Sequence, residues 1–214
     1  VVKRTPLIRR PLPYREYNMA FILIGVNILV FMLNSVAPNS TAYLAMNPRL
    51  VINYNFWWQP FTYMFVHGGI THILFNMLAV FFFGTQVERR LGSYEFLLFY
   101  LLVGFLAGLF SLGFYWYTGN YQIFLLGASG AVFGVLLAFA TLFPDAMIYV
   151  FGIIPIRAPI LVLLYTGIEL FSQLSGGGGG IAHLTHLAGF AFAYLYLLIR
   201  LELNPFRIFL EDLR

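Results

Sequence analysis

Six apolar runs follow one another along the chain, near Tyr17–Val36, Ile70–Val87, Tyr94–Tyr117, Ile123–Phe143, Ala158–Leu174 and Ile181–Leu201. Each approaches the roughly 20 residues that carry a helix across a bilayer. The breaks between them carry turn or charge signals. These are Ala37–Pro38–Asn39, the Glu88–Arg89–Arg90–Leu91–Gly92 run, Thr118–Gly119–Asn120, Pro144–Asp145, and Ser175 followed by five glycines. The pattern predicts an all-α membrane protein built as a six-transmembrane helical bundle. Residues 1–16 read as a basic N-terminal tail, 17–201 as the six-helix domain and 202–214 as a C-terminal tail. The opening segment is basic and proline-rich and does not read as a secretory signal.

Composition sharpens this. Apolar residues make up 61 % of the 214 residues, aromatic residues 19 % and charged residues 9 %, with a mean hydropathy of +0.84. A soluble domain carries about 25 % charged residues, so this chain cannot cover a water-facing surface. A water-soluble enzyme, a disordered chain and a nucleic-acid binder are excluded on the same ground. Membrane lipid is the surrounding medium. Cysteine is absent, which removes disulfides, thiol catalysis and Cys-ligated metals.

The net charge of +4 matters through its placement. Lys3, Arg4, Arg9, Arg10 and Arg15 precede the first run, Arg89 and Arg90 follow the second, Arg157 follows the fourth, and Arg200, Arg207 and Arg214 close the chain. The other loops hold only Arg49. Basic residues stay on the cytoplasmic side, so both termini are expected there. Runs two, four and six then descend from the outer face. The first outer loop, Ala37 to Gly69, carries Tyr43, Tyr54, Phe56, Trp57, Trp58, Phe61 and Tyr63 with almost no charge. Such rings favour the membrane interface, whether as a plain aromatic belt or with a role of their own.

In so apolar a chain the polar residues stand out. Asn76, Ser129 and His186 each fall about six residues into a descending run, roughly 9 Å below the outer surface at 1.5 Å per residue. His72 is one turn above Asn76. Unpaired polar groups in lipid cost several kcal/mol, so a shared depth on three helices suggests a site. Ser129 lies in Gly127–Ala128–Ser129–Gly130, with Gly134 following, and Gly189 is one turn below His186. Small residues let helices approach closely. An imidazole beside a serine hydroxyl turns it into a competent nucleophile. Backbone N–H groups near Ser129, the Asn76 amide and the His72 ring are candidate donors to an oxyanion. Other readings stay open. Gly127–Gly134 also suits plain packing, and His183 and His186, at i and i+3, could share a metal. Glu169, near the outer end of the fifth run, is the one carboxylate nearby in sequence.

Taken together, the stretches His67–Gly–Gly–Ile–Thr–His72–Ile–Leu–Phe–Asn76–Met77, Gly127–Ala–Ser129–Gly130 and His186–Leu–Ala–Gly189 resemble those of rhomboid intramembrane serine proteases. Gly84–Thr–Gln–Val–Glu88–Arg–Arg90–Leu–Gly92 resembles the family's pattern after its second span. The resemblance runs through nearly the whole chain in family order. It implies Ser129 as nucleophile and His186 as general base, with no acid completing a triad. It implies Asn76, His72 and the Ser129 backbone as oxyanion donors, with Gly127, Phe133 and Gly189 in support, and neither cofactor nor metal. Substrates would be single-span or other transmembrane proteins, cut near the outer face, and a bacterial plasma membrane suits a compact six-span chain. Phe133 stands where a tyrosine is often found, and Trp58–Gln59 where Trp–Arg is common. Glu88 and Arg90 would tie a cytoplasmic loop together. His67 would brace the first loop, and His183 would line a water entrance or fill the interface. Ser175–Gly180 would be a moving cap or a tether. Two rival readings are a non-catalytic rhomboid-like protein that binds client helices, and a small metal or proton transporter using the four histidines.

Overall fold

The structure, a computed structural model, describes residues 6–10, 12–37, 39–150, 152–175 and 180–212, with 7, 180–182 and 212 by backbone alone. The glycine run 176–179, expected as a cap or tether, lies outside the described residues. The described chain is mostly helical. Helix α1 spans Met19–Val36. Three short helices, α2 (Asn39–Leu44), α3 (Pro48–Tyr54) and α4 (Gln59–Thr62), fill the first loop. Then come α5 (Ile70–Ala79), a π-turn at Val80–Gly84 and α6 (Thr85–Leu91), which together form one rod. Helices α7 (Ser93–Tyr117), α8 (Ser129–Leu142), α9 (Ala158–Leu174), α10 (Gly180–Ile199) and α11 (Pro205–Asp212) follow.

Among the described residues, three helical rods are long and apolar enough to cross a membrane: Met19–Val36, Ile70–Leu91 and Ser93–Tyr117. The apolar parts of α8, α9 and α10 are shorter. Helix α8 is the clearest departure from expectation. The fourth run was read as a span over Ile123–Phe143, yet the helix begins only at Ser129 and has 14 residues, about 21 Å of rise. Two contacts hold the preceding segment out of the helix. Leu125 pairs with Met46 of the first loop through backbone bonds of 2.8 and 2.9 Å. Gly127 turns at φ +119°, a left-handed conformation that a residue with a Cβ rarely adopts.

A second departure is a small antiparallel hairpin, β1 (Met147–Val150) with β2 (Ile154–Arg157), in register at Tyr149↔Pro155. It fills a connection that an all-α reading left as a loop. Its β-branched and aromatic residues alternate between half-buried and exposed positions, and a four-residue ladder is too short to leave a hydrophobic-run signature.

The surface is inside out. On α1, Phe21, Ile22, Leu29, Met32 and Leu33 are exposed while Asn27 and Asn34 are buried. On α9, Leu163, Leu164, Ile168, Leu170 and Phe171 are exposed while Glu169 is buried. A water-soluble helix does the reverse. The solvent these faces fit is lipid, and the chain is an integral membrane protein.

Helix α8 runs through the middle of the bundle and packs on α7, α9 and α10. Its contact with α10 is backbone to backbone. A Cβ added to Gly189 would lie 2.1 Å from the carbonyl oxygen of Gly130, and one on Gly134 would lie 2.7 Å from Val103 and 3.2 Å from Ala193. Tyr63, fully buried, donates to the Gly104 carbonyl at 2.7 Å and so links the first loop to α7.

One end of the bundle is tied by charge. Glu88 accepts from the backbone N–H groups of Met19 and Ala20 at 2.6 and 2.9 Å and from the Ser93 hydroxyl, so it caps the start of α1. Glu88, expected with Arg90 to tie a loop together, joins the start of α1 to the start of α7. Arg200 grips Glu95 with Nε and Nη2 at 2.5 and 2.8 Å, and donates to the carbonyls of Ile8 and Arg10. The N-terminal segment, the α6–α7 turn and the end of α10 therefore meet at one end. Ser129 and His186 start their helices at the other.

Candidate active site

Three elements converge on Ser129. The first loop sets its position: the Tyr63 carbonyl accepts from the Gly127 N–H at 3.0 Å, and the Asn47 amide donates to the Ile123 carbonyl at 3.1 Å. Asn47 is held in turn by Gln59, whose Oε1 accepts from the Asn47 N–H at 3.0 Å and whose amide donates to the carbonyls of Ala42 and Tyr43 at 3.1 Å. Gln59 is fully buried. At the position where the family often has arginine, this chain uses a neutral amide to stitch the loop from inside. The first loop is thus an ordered frame as well as an aromatic surface.

Ser129 is the first residue of α8, where the sequence reading had placed it six residues into a span. At that place the first N–H groups of the helix have no carbonyl one turn back to bind. They point with the positive end of the helix dipole toward the site. The local sequence dictates this start, since Gly127 breaks the chain direction and the small Ala128, Ser129 and Gly130 allow the helix to begin against neighbours.

His186 comes from the second turn of α10. Its Nε2 lies 2.8 Å from the Ser129 hydroxyl oxygen. Phe133, one turn below Ser129, stacks face to face on the imidazole, with centroids 4.2 Å apart and planes 9° apart. The close α8–α10 contact at Gly130 and Gly189 allows this meeting. A larger residue at either place would push the helices apart.

His72 belongs to α5. A Cβ on Gly127 would lie 2.7 Å from both Cε1 and Nε2 of His72 and 3.8 Å from the Ser129 hydroxyl oxygen. The ring therefore covers Gly127 on the side of the serine. Its Nδ1 faces the Gly68 N–H at 3.4 Å. Asn76, one turn on, is buried, and its amide donates to the His72 carbonyl at 2.9 Å. An amide has two N–H bonds, so one remains after this contact. His67 packs edge-on against the His72 ring at 5.1 Å. It is buried, and neither ring nitrogen makes an aligned hydrogen bond. Burial, with the His72 ring next to it, pushes its pKa down to about 4.

Sequence reasoning noted one further group without giving it a role. Glu169 of α9 is buried, and its two carboxylate oxygens divide between two imidazoles. Oε2 lies 2.5 Å from His183 Nδ1 and Oε1 lies 3.1 Å from His186 Nδ1. The second approach is off the ring N–H axis and falls short of an aligned hydrogen bond. His183 was expected to line a water entrance or fill the interface; it is instead joined to this carboxylate. A signal was available. An ionisable side chain in an apolar run needs a partner, and the two histidines at the same end of the next run were the partners within reach. Glu169, His183 and His186 offer ligand atoms within 4.8 Å of one another, a spacing that a divalent cation could bridge.

Comparison with known proteins agrees with this architecture. A family model described as the rhomboid domain matches residues 54–203. Rhomboid protease GluP of Bacillus subtilis is 36 % identical over 124 residues, 56 % of this chain and 23 % of that protein. Rhomboid protein 1, mitochondrial, of Saccharomyces cerevisiae is 33 % identical over 141 residues, 63 % of this chain and 39 % of that protein. Rhomboid protease AarA of Providencia stuartii is 34 % identical over 89 residues, 37 % of this chain and 32 % of that protein. The chain matches less than half the length of each of these three relatives.

Proposed function

The chain belongs to the rhomboid family, and from that premise we propose that it is an intramembrane serine endopeptidase acting through Ser129 and His186. The observation that carries the reading is the 2.8 Å approach of His186 Nε2 to the Ser129 hydroxyl, made by two helices whose glycines allow backbone contact. The substrate class is a transmembrane segment of another protein, cut near the outer face. The chain crosses the membrane six times, with the shorter α8, α9 and α10 as the last three spans and both termini cytoplasmic. The basic residues beside Glu88, Glu95 and Arg200 mark that cytoplasmic end. A bacterial plasma membrane is the setting carried forward.

The chemistry follows from the atoms. A peptide bond inside a helix is closed to attack, so the substrate must unwind locally. The Ser129 oxygen then bonds to the exposed carbonyl carbon while its proton passes to His186 Nε2. The negative charge on the carbonyl oxygen falls near the start of α8, where the Ser129 N–H, the His72 ring and the free N–H of Asn76 act as donors. The imidazolium returns its proton to the departing amine, leaving an acyl-enzyme. Water from the outer face gives its proton to His186 as it attacks the acyl carbon, and the imidazolium returns that proton to the Ser129 oxygen as the ester bond breaks. Phe133 holds the plane of the imidazole through these proton transfers.

A serine-reactive fluorophosphonate tests the reading. It should label the protein stoichiometrically at Ser129, as read by peptide mass, and leave Ser129→Ala and His186→Ala unlabelled. No labelling of the wild-type protein in a folded state would favour the non-catalytic, client-binding rival.

A further inference from the structure

A serine and a histidine alone leave a problem of tautomers. Neutral imidazole carries one proton. On Nε2 it would point an N–H at Ser129 and could not take the serine proton. On Nδ1 it leaves the Nε2 lone pair facing the hydroxyl. Nothing in the Ser129–His186 pair selects between the two. Phe133 fixes the ring plane but is blind to which nitrogen is protonated.

Glu169 can select. A carboxylate only accepts hydrogen bonds, and its Oε1 lies 3.1 Å from His186 Nδ1. A proton on Nδ1 is attracted there, and a lone pair is repelled. Its other oxygen is tied to His183 at 2.5 Å, which anchors the carboxylate, and α9 keeps it buried. The approach to His186 is off-axis, so it favours the Nδ1 proton by charge more than by an aligned hydrogen bond.

We propose that Glu169 is a positioning residue for His186: it holds the proton on Nδ1, so that Nε2 faces Ser129 as acceptor, and it faces the imidazolium formed when the serine proton arrives. The inference rests on the serine-protease reading and turns its two-residue site into a three-residue one, with the acid drawn from a neighbouring helix. A carboxylate in this role acts through the histidine and does not itself take the proton.

The test compares full-length wild type with Glu169→Gln, Glu169→Asp and His183→Ala, using a single-span substrate in liposomes. Gln keeps the shape but can offer an N–H to the ring and so admit the wrong tautomer. The wild type must first be labelled by fluorophosphonate; failure there strikes the protease reading itself. Given labelling, Glu169→Gln should lower kcat clearly, toward the roughly 10⁴-fold that the wrong tautomer costs a serine–histidine site, with KM and melting temperature unchanged. Glu169→Asp should regain part of the loss, and His183→Ala, which removes an anchor but leaves the carboxylate facing His186, should lose clearly less than Glu169→Gln. A kcat for Glu169→Gln within 2-fold of wild type would overturn the role. So would an equal loss in His183→Ala, which would make the carboxylate a mere brace for His183. Should Glu169→Gln fold poorly, the imidazole 15N spectrum of the wild type decides. A protonated Nδ1 on His186 supports the assignment, and a protonated Nε2 overturns it.

Discussion

Ser129 meets His186 at 2.8 Å while His72 closes over Gly127 and Asn76 ties back to its own helix. These side chains should therefore fail in different ways. Asn76→Ala removes an oxyanion donor, a loss of about 100-fold in turnover where such a donor is used. We expect kcat to fall and KM to hold, measured with a soluble reporter peptide; unchanged kcat would remove Asn76 from the reaction. His67 predicts a pH effect. The unfolded chain protonates it below about pH 6.5, the folded chain only below about pH 4. Between those values the unfolded state binds more protons, so stability is complete above pH 6.5 and falls as pH drops toward 4. The melting temperature should drop across that window, and His67→Phe should flatten the drop. Serine, histidine and asparagine were legible in the sequence because polar residues are rare in this chain. Glu169 was visible as the one carboxylate near the two histidines, but its part in the site was not, because the resemblance implied no acid and spacing within one run gave it no partner.

At the scale of elements, the junction of α8 and α10 sets the geometry. A methyl group on Gly189 would meet a backbone oxygen at 2.1 Å, and no rotamer relieves a backbone clash. Gly189→Ala should destabilise the protein by about 1–3 kcal/mol. It should also lower cleavage by about 100-fold, since a displacement of roughly 1 Å at a reacting pair costs that much. Gly167→Ala, on α9 with open space around it, should leave both unchanged and serves as the control. The six runs were readable from hydropathy, and three of the helices meet the length for a span. The late start of α8 was not readable. Ile123–Leu126 is as apolar as the helix that follows, and what keeps it extended is a backbone pairing with Met46, about 80 residues earlier, that leaves no trace in local pattern. The hairpin of β1 and β2 was hidden for another reason: its four-residue ladder is too short to leave a run of its own.

Across the whole molecule, polarity is arranged in two zones. One end is locked by Glu88 and by the Glu95–Arg200 pair, which also binds the N-terminal segment. The other end holds the candidate site. Arg200→Ala leaves Glu95 buried without its charged partner, beside the Tyr196 hydroxyl and the Leu12 backbone, and breaking a buried pair costs about 3 kcal/mol or more. The variant should melt at clearly lower temperature in detergent while fluorophosphonate labelling at 4 °C persists; loss of labelling in a folded sample would mean that the two ends are coupled. Between the zones lie apolar faces turned outward and few charges, so the site must draw its water from its own end of the bundle. The central claim is that this arrangement cleaves transmembrane segments with Ser129 as nucleophile. The direct measurement is cleavage of a single-span substrate by the full chain in liposomes, with product masses read for wild type and for Ser129→Ala of equal melting temperature. The account predicts two products from wild type, cut near the outer end of the span, and none from the variant. The same products from Ser129→Ala would contradict it.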